Sequence, residues 1–96
     1  MGIAEVLGRK RKGILRVAAR HGASHVRVFG SVASGSATRK SDLDILVDMQ
    51  EGRTLLDLAR LTQELEAILR RKVDVVTSRG LSPYLRRHIF AQAVPL

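Results

Sequence analysis

The sequence predicts a single α/β (α+β) domain over residues 1–96, a small mixed β-sheet flanked by helices. Three observations carry this expectation. Helical and extended patterns alternate in the order α-β-(short α)-β-α-β-α, the signature of helices packed on a sheet. The chain is 45% hydrophobic but only 3% aromatic, so its core must be aliphatic. No repeat, low-complexity segment or Pro/Gly/Ser-rich linker divides the 96 residues. A chain of this length buries roughly 60–70% of its unfolded surface, enough for one core but few walls around a large substrate.

Each element follows from its local pattern. Ile3, Val6, Leu7, Ile14, Leu15 and Ala18 fall near helical spacing, so Ile3 to Arg20 reads as one amphipathic helix, weakened by Gly8 and Gly13. His21-Gly22 supplies its stop. Ser24 to Phe29 alternates as a strand through His25, Val26, Arg27 and Val28. Ser31 to Ser36 is small enough for a short helical turn, and Ala37 to Ser41 forms a polar loop. Leu43 to Met49 is a second strand, and Leu46 breaks its alternation, which implies cover on both faces. Thr54 is an N-cap with Asp57 in the first turn of a helix striped by Leu58, Leu61, Leu65, Ile68 and Leu69. Lys72 to Thr77 is a third strand, and Ser82-Pro83 opens a last helix to about Ala93.

Charge and composition narrow the function classes. Seventeen Lys and Arg against nine Asp and Glu give +8, which favours polyanionic partners. The densest cluster, Arg9-Lys10-Arg11-Lys12, reads as a solvated helix face. One Tyr and two Phe offer almost no stacking platform, so nucleic acid is not expected as a direct ligand. There is no cysteine for a disulfide or thiolate metal site. No signal-peptide h-region or membrane-length apolar run is present, and the expected location is cytoplasmic.

The chemistry gathers between Phe29 and Met49. Asp42 and Asp44 are two apart at the start of an apolar strand, so they leave one face about 7 Å apart, with Leu43, Ile45 and Val47 on the other. Paired carboxylates raise each other's proton affinity unless a cation lies between them. A hard divalent ion such as Mg²⁺ is the favourable solution where phosphates are the other ligands. Asp74 sits between Val73 and Val75 in a later strand and can join them. Upstream, Gly30-Ser31 ends a strand ten residues before Asp42, where a glycine lets a phosphate approach the backbone and Ser31 can donate a hydrogen bond. Arg39 and Lys40 lie beside the acids and could neutralise phosphate charge.

This conjunction resembles the nucleotidyltransferases of the DNA polymerase β superfamily. The short length, the run Ser41-Asp42-Leu43-Asp44-Ile45-Leu46-Val47 and the closing Ala93-Val94-Pro95-Leu96 resemble its minimal nucleotidyltransferase (MNT) branch. The resemblance implies a nucleotidyltransferase fold. It also implies that Asp42, Asp44 and Asp74 bind two Mg²⁺, with Asp74 also the general base, and that Gly30 and Ser31 hold the phosphates of ATP. Many minimal members are antitoxins of a HEPN-domain toxin and transfer AMP to a toxin tyrosine, so a HEPN-type partner is implied. The alternatives are a non-catalytic antitoxin acting by binding, or transfer to a small molecule or RNA end. Ser34 stands where the family often has an arginine, which could slow turnover or leave that charge to Arg39 or Lys40. His21, His25 and His88 lack metal-ligand spacing and read as surface or capping residues; Ser78 and Ser82 read as loop and cap. Ile89, Phe90, Ala91 and Val94 suit either core packing or partner docking.

Overall fold

The computed structural model describes residues 1–96 and places a four-stranded sheet in the order β3-β2-β1-β4. The strands are β1 (Ala23–Phe29), β2 (Leu43–Met49), β3 (Val73–Thr77) and β4 (Val94–Pro95). The helices are α1 (Ile3–Leu7), α2 (Arg11–Arg20), α3 (Gly30–Ser34), α4 (Leu55–Leu69) and α5 (Pro83–Gln92). β2 runs antiparallel to β1 and parallel to β3, so the sheet is mixed as expected. A parallel pair needs a crossover, and α4 provides it.

One face of the sheet carries the main core. Val26 and Val28 of β1, Leu43, Ile45 and Val47 of β2, and Val73 of β3 meet Ile14, Val17 and Ala18 of α2. Leu61, Leu65 and Leu69 of α4 complete it, the i, i+4 stripe that the sequence shows. Each fully buried aliphatic side chain here contributes about 1.5–3 kcal/mol relative to exposure. Leu46 is also fully buried yet lies on the opposite face, outside this cluster. The break in alternation at Leu46 thus marks cover on both faces. Beside it Arg27 lays its guanidinium on the ring of Phe90, 4.7 Å from the centroid, so α5 covers part of the second face.

The caps are those the sequence announces. Thr54 Oγ1 accepts from the Leu56 N–H at 3.2 Å, and the Thr54 N–H donates to Asp57 Oδ2 at 2.8 Å. Ser82 Oγ accepts from the Leu85 N–H, with Pro83 opening α5.

Four expectations need correction. The first helix is not continuous: Gly8 takes φ +55, a 3₁₀ turn covers Gly8–Lys10, and α2 starts afresh at Arg11. Without a Cβ, Gly8 accepts a left-handed conformation that ends α1. β1 begins one residue earlier than expected and does not alternate evenly, because a bulge between Ser24 and Arg27 holds His25 at φ +52. Asp42 precedes β2 rather than lying on it. Finally, Val94 and Pro95 form an edge strand on β1, with Val94 opposite Val28 and the Leu96 N–H donating to Val26 O. Two residues show no periodicity to read, and proline is tolerated because an edge strand can spare its N–H.

Candidate active site

The topology brings the Gly-Ser turn and the acids to one end of the sheet. β1 ends at Phe29, which pairs with Asp44 near the start of antiparallel β2. In the parallel register Asp44 lies directly beside Asp74. Asp44 on β2 and Asp74 on β3 therefore sit side by side at one end of the sheet, with Gly30 just past the end of β1 and exposed Asp42 just before β2. They share the face opposite the main core because side chains alternate along each strand.

Glycine suits the turn at position 30 for two reasons. Its φ is +75, and a Cβ there would collide with Asp44 Oδ2 and come within 3.2 Å of its Cγ. The glycine keeps open the space into which Asp44 points. Burial pushes the Asp44 carboxyl up from its ordinary value, and the negative charges of Asp74 and then Asp42 push it further. The site holds more negative charge than its own cations neutralise.

The turn after Gly30 is tied by hydroxyls. Ser34 Oγ donates to the Ser31 carbonyl at 3.1 Å and shares a 2.9 Å hydrogen bond with Ser36 Oγ. Where the family often has an arginine, this chain has a residue that holds the turn together. Arg39 and Lys40 are exposed in the loop leading to Asp42. That loop is pinned by Arg71, whose Nη1 donates to Thr38 O at 3.0 Å and Ser41 O at 2.6 Å. Sequence reading missed Arg71, since thirty residues separate it from Ser41 and no local pattern links them.

A second polar group was also missed. Asp48 continues the face of Asp44 and Leu46, and binds Arg27 at 3.0 Å, His25 Nδ1 at 3.0 Å and the Ser78 hydroxyl. Burial opposes its ionisation, but the hydrogen bonds from Ser78 and Arg27 and the charges of Arg27 and His25 outweigh this and hold it below the usual carboxylate value. The period-two run Asp42, Asp44, Leu46, Asp48 was the available signal. His25 and Ser78 are thus network partners of Asp48, beyond the surface and loop roles expected. His21 pairs with Glu64 at 3.1 Å, away from the acids.

A divalent cation is tested by the donors present. As the side chains stand, no three acids or imidazoles converge to metal-ligand geometry. The chemistry nonetheless suits a hard cation: carboxylate oxygens only, a surplus of negative charge at Asp44, and a cleared space beside Gly30. Asp42 and Asp74 are exposed, so their side chains can swing inward at little cost.

Comparison with known proteins identifies the family. The nucleotidyltransferase domain model matches residues 10–95. This chain belongs to the nucleotidyltransferase family. It is 43% identical over 94 residues to a candidate protein adenylyltransferase of Methanocaldococcus jannaschii, MJ0435, covering 98% of this chain and 97% of that one. Among solved structures, a candidate minimal nucleotidyltransferase superposes with TM-score 0.89 at 53% identity, over 100% of this chain and 97% of the other. A toxin–antitoxin crystal structure with AMP-PNP gives TM-score 0.77 at 26% identity, over 88% of this chain and 69% of that one. As a nucleotidyltransferase of this fold, the chain takes a nucleotide substrate. No helix is long and apolar enough to cross a membrane.

Proposed function

We propose that this chain is the antitoxin of a HEPN/MNT toxin–antitoxin pair, working in the cytoplasm as one domain over residues 1–96. It transfers AMP from ATP to a tyrosine of its HEPN toxin. The observation that carries the reading is the placing of Asp44 beside Asp74 in register, next to Asp42 and against the Cβ-free space of Gly30. The relatives named protein adenylyltransferases and the toxin–antitoxin complex holding an ATP analogue support the acceptor and the nucleotide.

In this reading Gly30 lets the triphosphate approach the backbone while Ser31 donates a hydrogen bond to a phosphate oxygen. Arg39 and Lys40 offset phosphate charge from the pinned loop. Asp42, Asp44 and Asp74 would hold Mg²⁺, which supplies charge neutralisation and lowers the pKa of an attacking hydroxyl. Asp74 accepts the tyrosine proton as the phenolic oxygen bonds to the α-phosphorus. The bond from that phosphorus to its bridging oxygen breaks, and pyrophosphate leaves. Asp44, the most enclosed of the three acids, would be the least mobile of the residues holding Mg²⁺.

The test is incubation of the chain and its partner toxin with ATP labelled in the α-phosphate and Mg²⁺. Label is expected on one tyrosine of the toxin, and is expected to vanish with Asp44→Ala. Absence of label with the intact chain refutes the catalytic reading.

A further inference from the structure

A broad cavity lies away from the three acids. It measures about 810 Å³ and opens at the other end of the same sheet, where β2 and β3 finish and α4 begins. Four arginines line it, Arg27, Arg53, Arg79 and Arg86, against two acids, Asp48 and Glu51. Their partners divide them. Arg27 is committed to Asp48, and Arg53 reaches Asp57 at 3.4 Å. Arg86 donates to the neutral carbonyl of Ser78, at 3.2 Å from Nε and 2.7 Å from Nη2. Arg79 is exposed and makes no hydrogen bond or ion pair. The charges of Arg79 and Arg86 are therefore unneutralised by any carboxylate of this chain.

The cavity is ill suited to a nucleobase. Phe90 is its sole aromatic wall, and the Arg27 guanidinium already lies on that ring at 4.7 Å. The hydroxyls of Thr54 and Ser78 already donate to Asp57 and Asp48, so what remains on offer is cationic forks and the Thr77 hydroxyl, which suit carboxylates. Position narrows the occupant further. Asp44 and Asp48 are four residues apart on β2 and share a face, a span of about 13 Å at 3.3 Å per residue. An extended peptide whose reacting side chain meets Asp44 would bring its backbone over this cavity about four residues away.

We propose that this cavity docks an acidic segment of the protein substrate, with carboxylates about four residues from the acceptor tyrosine bound by Arg79 and Arg86. The proposal rests on the protein-adenylylation reading above. It assigns recognition of the protein substrate to one end of the sheet face and chemistry to the other.

Arg79→Glu tests it, since the exposed Arg79 side chain makes no hydrogen bond or ion pair within the fold and its replacement is expected to leave folding intact; Arg79→Lys serves as the conservative control. Steady-state kinetics with the partner toxin should show KM for the toxin raised about tenfold or more by Arg79→Glu, with KM for ATP unchanged and Arg79→Lys near wild type. The affinity of Arg79→Glu for the toxin without ATP, read by calorimetry, should fall in parallel. If KM for ATP rises instead, the cavity belongs to the nucleotide and the proposal is overturned. Unchanged affinity for the toxin overturns it equally. Should the intact chain bind the toxin yet transfer no AMP, the catalytic reading fails on its own, and the calorimetric comparison still decides the cavity.

Discussion

Gly30→Ala should disable this protein for a reason that a second glycine can isolate. Gly30 has φ +75, where a Cβ costs about 1–2 kcal/mol, partly offset by about 0.4–1 kcal/mol from a stiffer unfolded chain. The new methyl would also strike Asp44 Oδ2. Swinging that carboxylate aside forces an off-rotamer side chain, a further cost of about 0.5–1.5 kcal/mol. The expected destabilisation is about 2 kcal/mol, or roughly 8–16 °C in Tm for a domain of this size. The larger effect is on rate, since about 1 Å of displacement at a reacting centre can cost about 10²-fold. Gly35→Ala is the control: its φ is +83, but a Cβ there meets nothing within 4 Å. It should carry the backbone penalty alone, with AMP transfer close to wild type. Thermal melts and labelled-ATP assays on both variants give the comparison. Equal loss of transfer in the two variants, or full activity in Gly30→Ala, would refute the argument that Gly30 exists to clear space for Asp44.

Four further outcomes are expected. Asp44→Asn should abolish transfer while raising the Tm of the metal-free protein at neutral pH. The Asp44 carboxyl is raised above its ordinary 3.8, so the native state binds more protons in the window just above that value, and stability falls as pH rises through it. Mg²⁺ with a non-hydrolysable ATP analogue should raise the melting temperature of the wild type and not of Asp44→Asn. Asp48→Asn should cost about 1–2 kcal/mol, because it leaves the Arg27 guanidinium, only 12% exposed, without its carboxylate. The Asp48 carboxyl is held low, so its contribution is present above 3.8 and is lost as pH falls through the lowered value; the gap between wild type and variant in acid titrations should close there. Thr54→Ala removes the α4 N-cap and should cost about 1 kcal/mol in chemical denaturation with no change in KM for ATP.

The comparison of sequence and structure turns on range along the chain. β2, the α4 stripe and the caps at Thr54 and Ser82 were legible because each rests on neighbours within a few residues. The acids were legible for the same reason, since Asp42 and Asp44 inside an apolar run violate a local rule and so point to a task. The turn at His25 was hidden, because a left-handed residue changes the path of the backbone without changing the hydrophobic pattern; Gly8 was visible as a weak point by residue type, but not as a full break in the helix. The edge strand at Val94–Pro95 was hidden because it exists only through its partner, β1.

By itself the sequence determined a mixed α/β domain, an aliphatic core and a set of carboxylates out of place in an apolar strand, since periodicity and residue type are local properties. Only the tertiary structure decided that Asp74 stands in register with Asp44, that Arg71 pins the loop before Asp42, and that Asp48, Arg27, His25 and Ser78 form one network. It also decided that Arg79 and Arg86 gather at the end of the sheet away from Asp44 and Asp74. Those pairings join residues about thirty apart or come from strand register, which is set when the sheet closes and leaves no mark on any short stretch of chain.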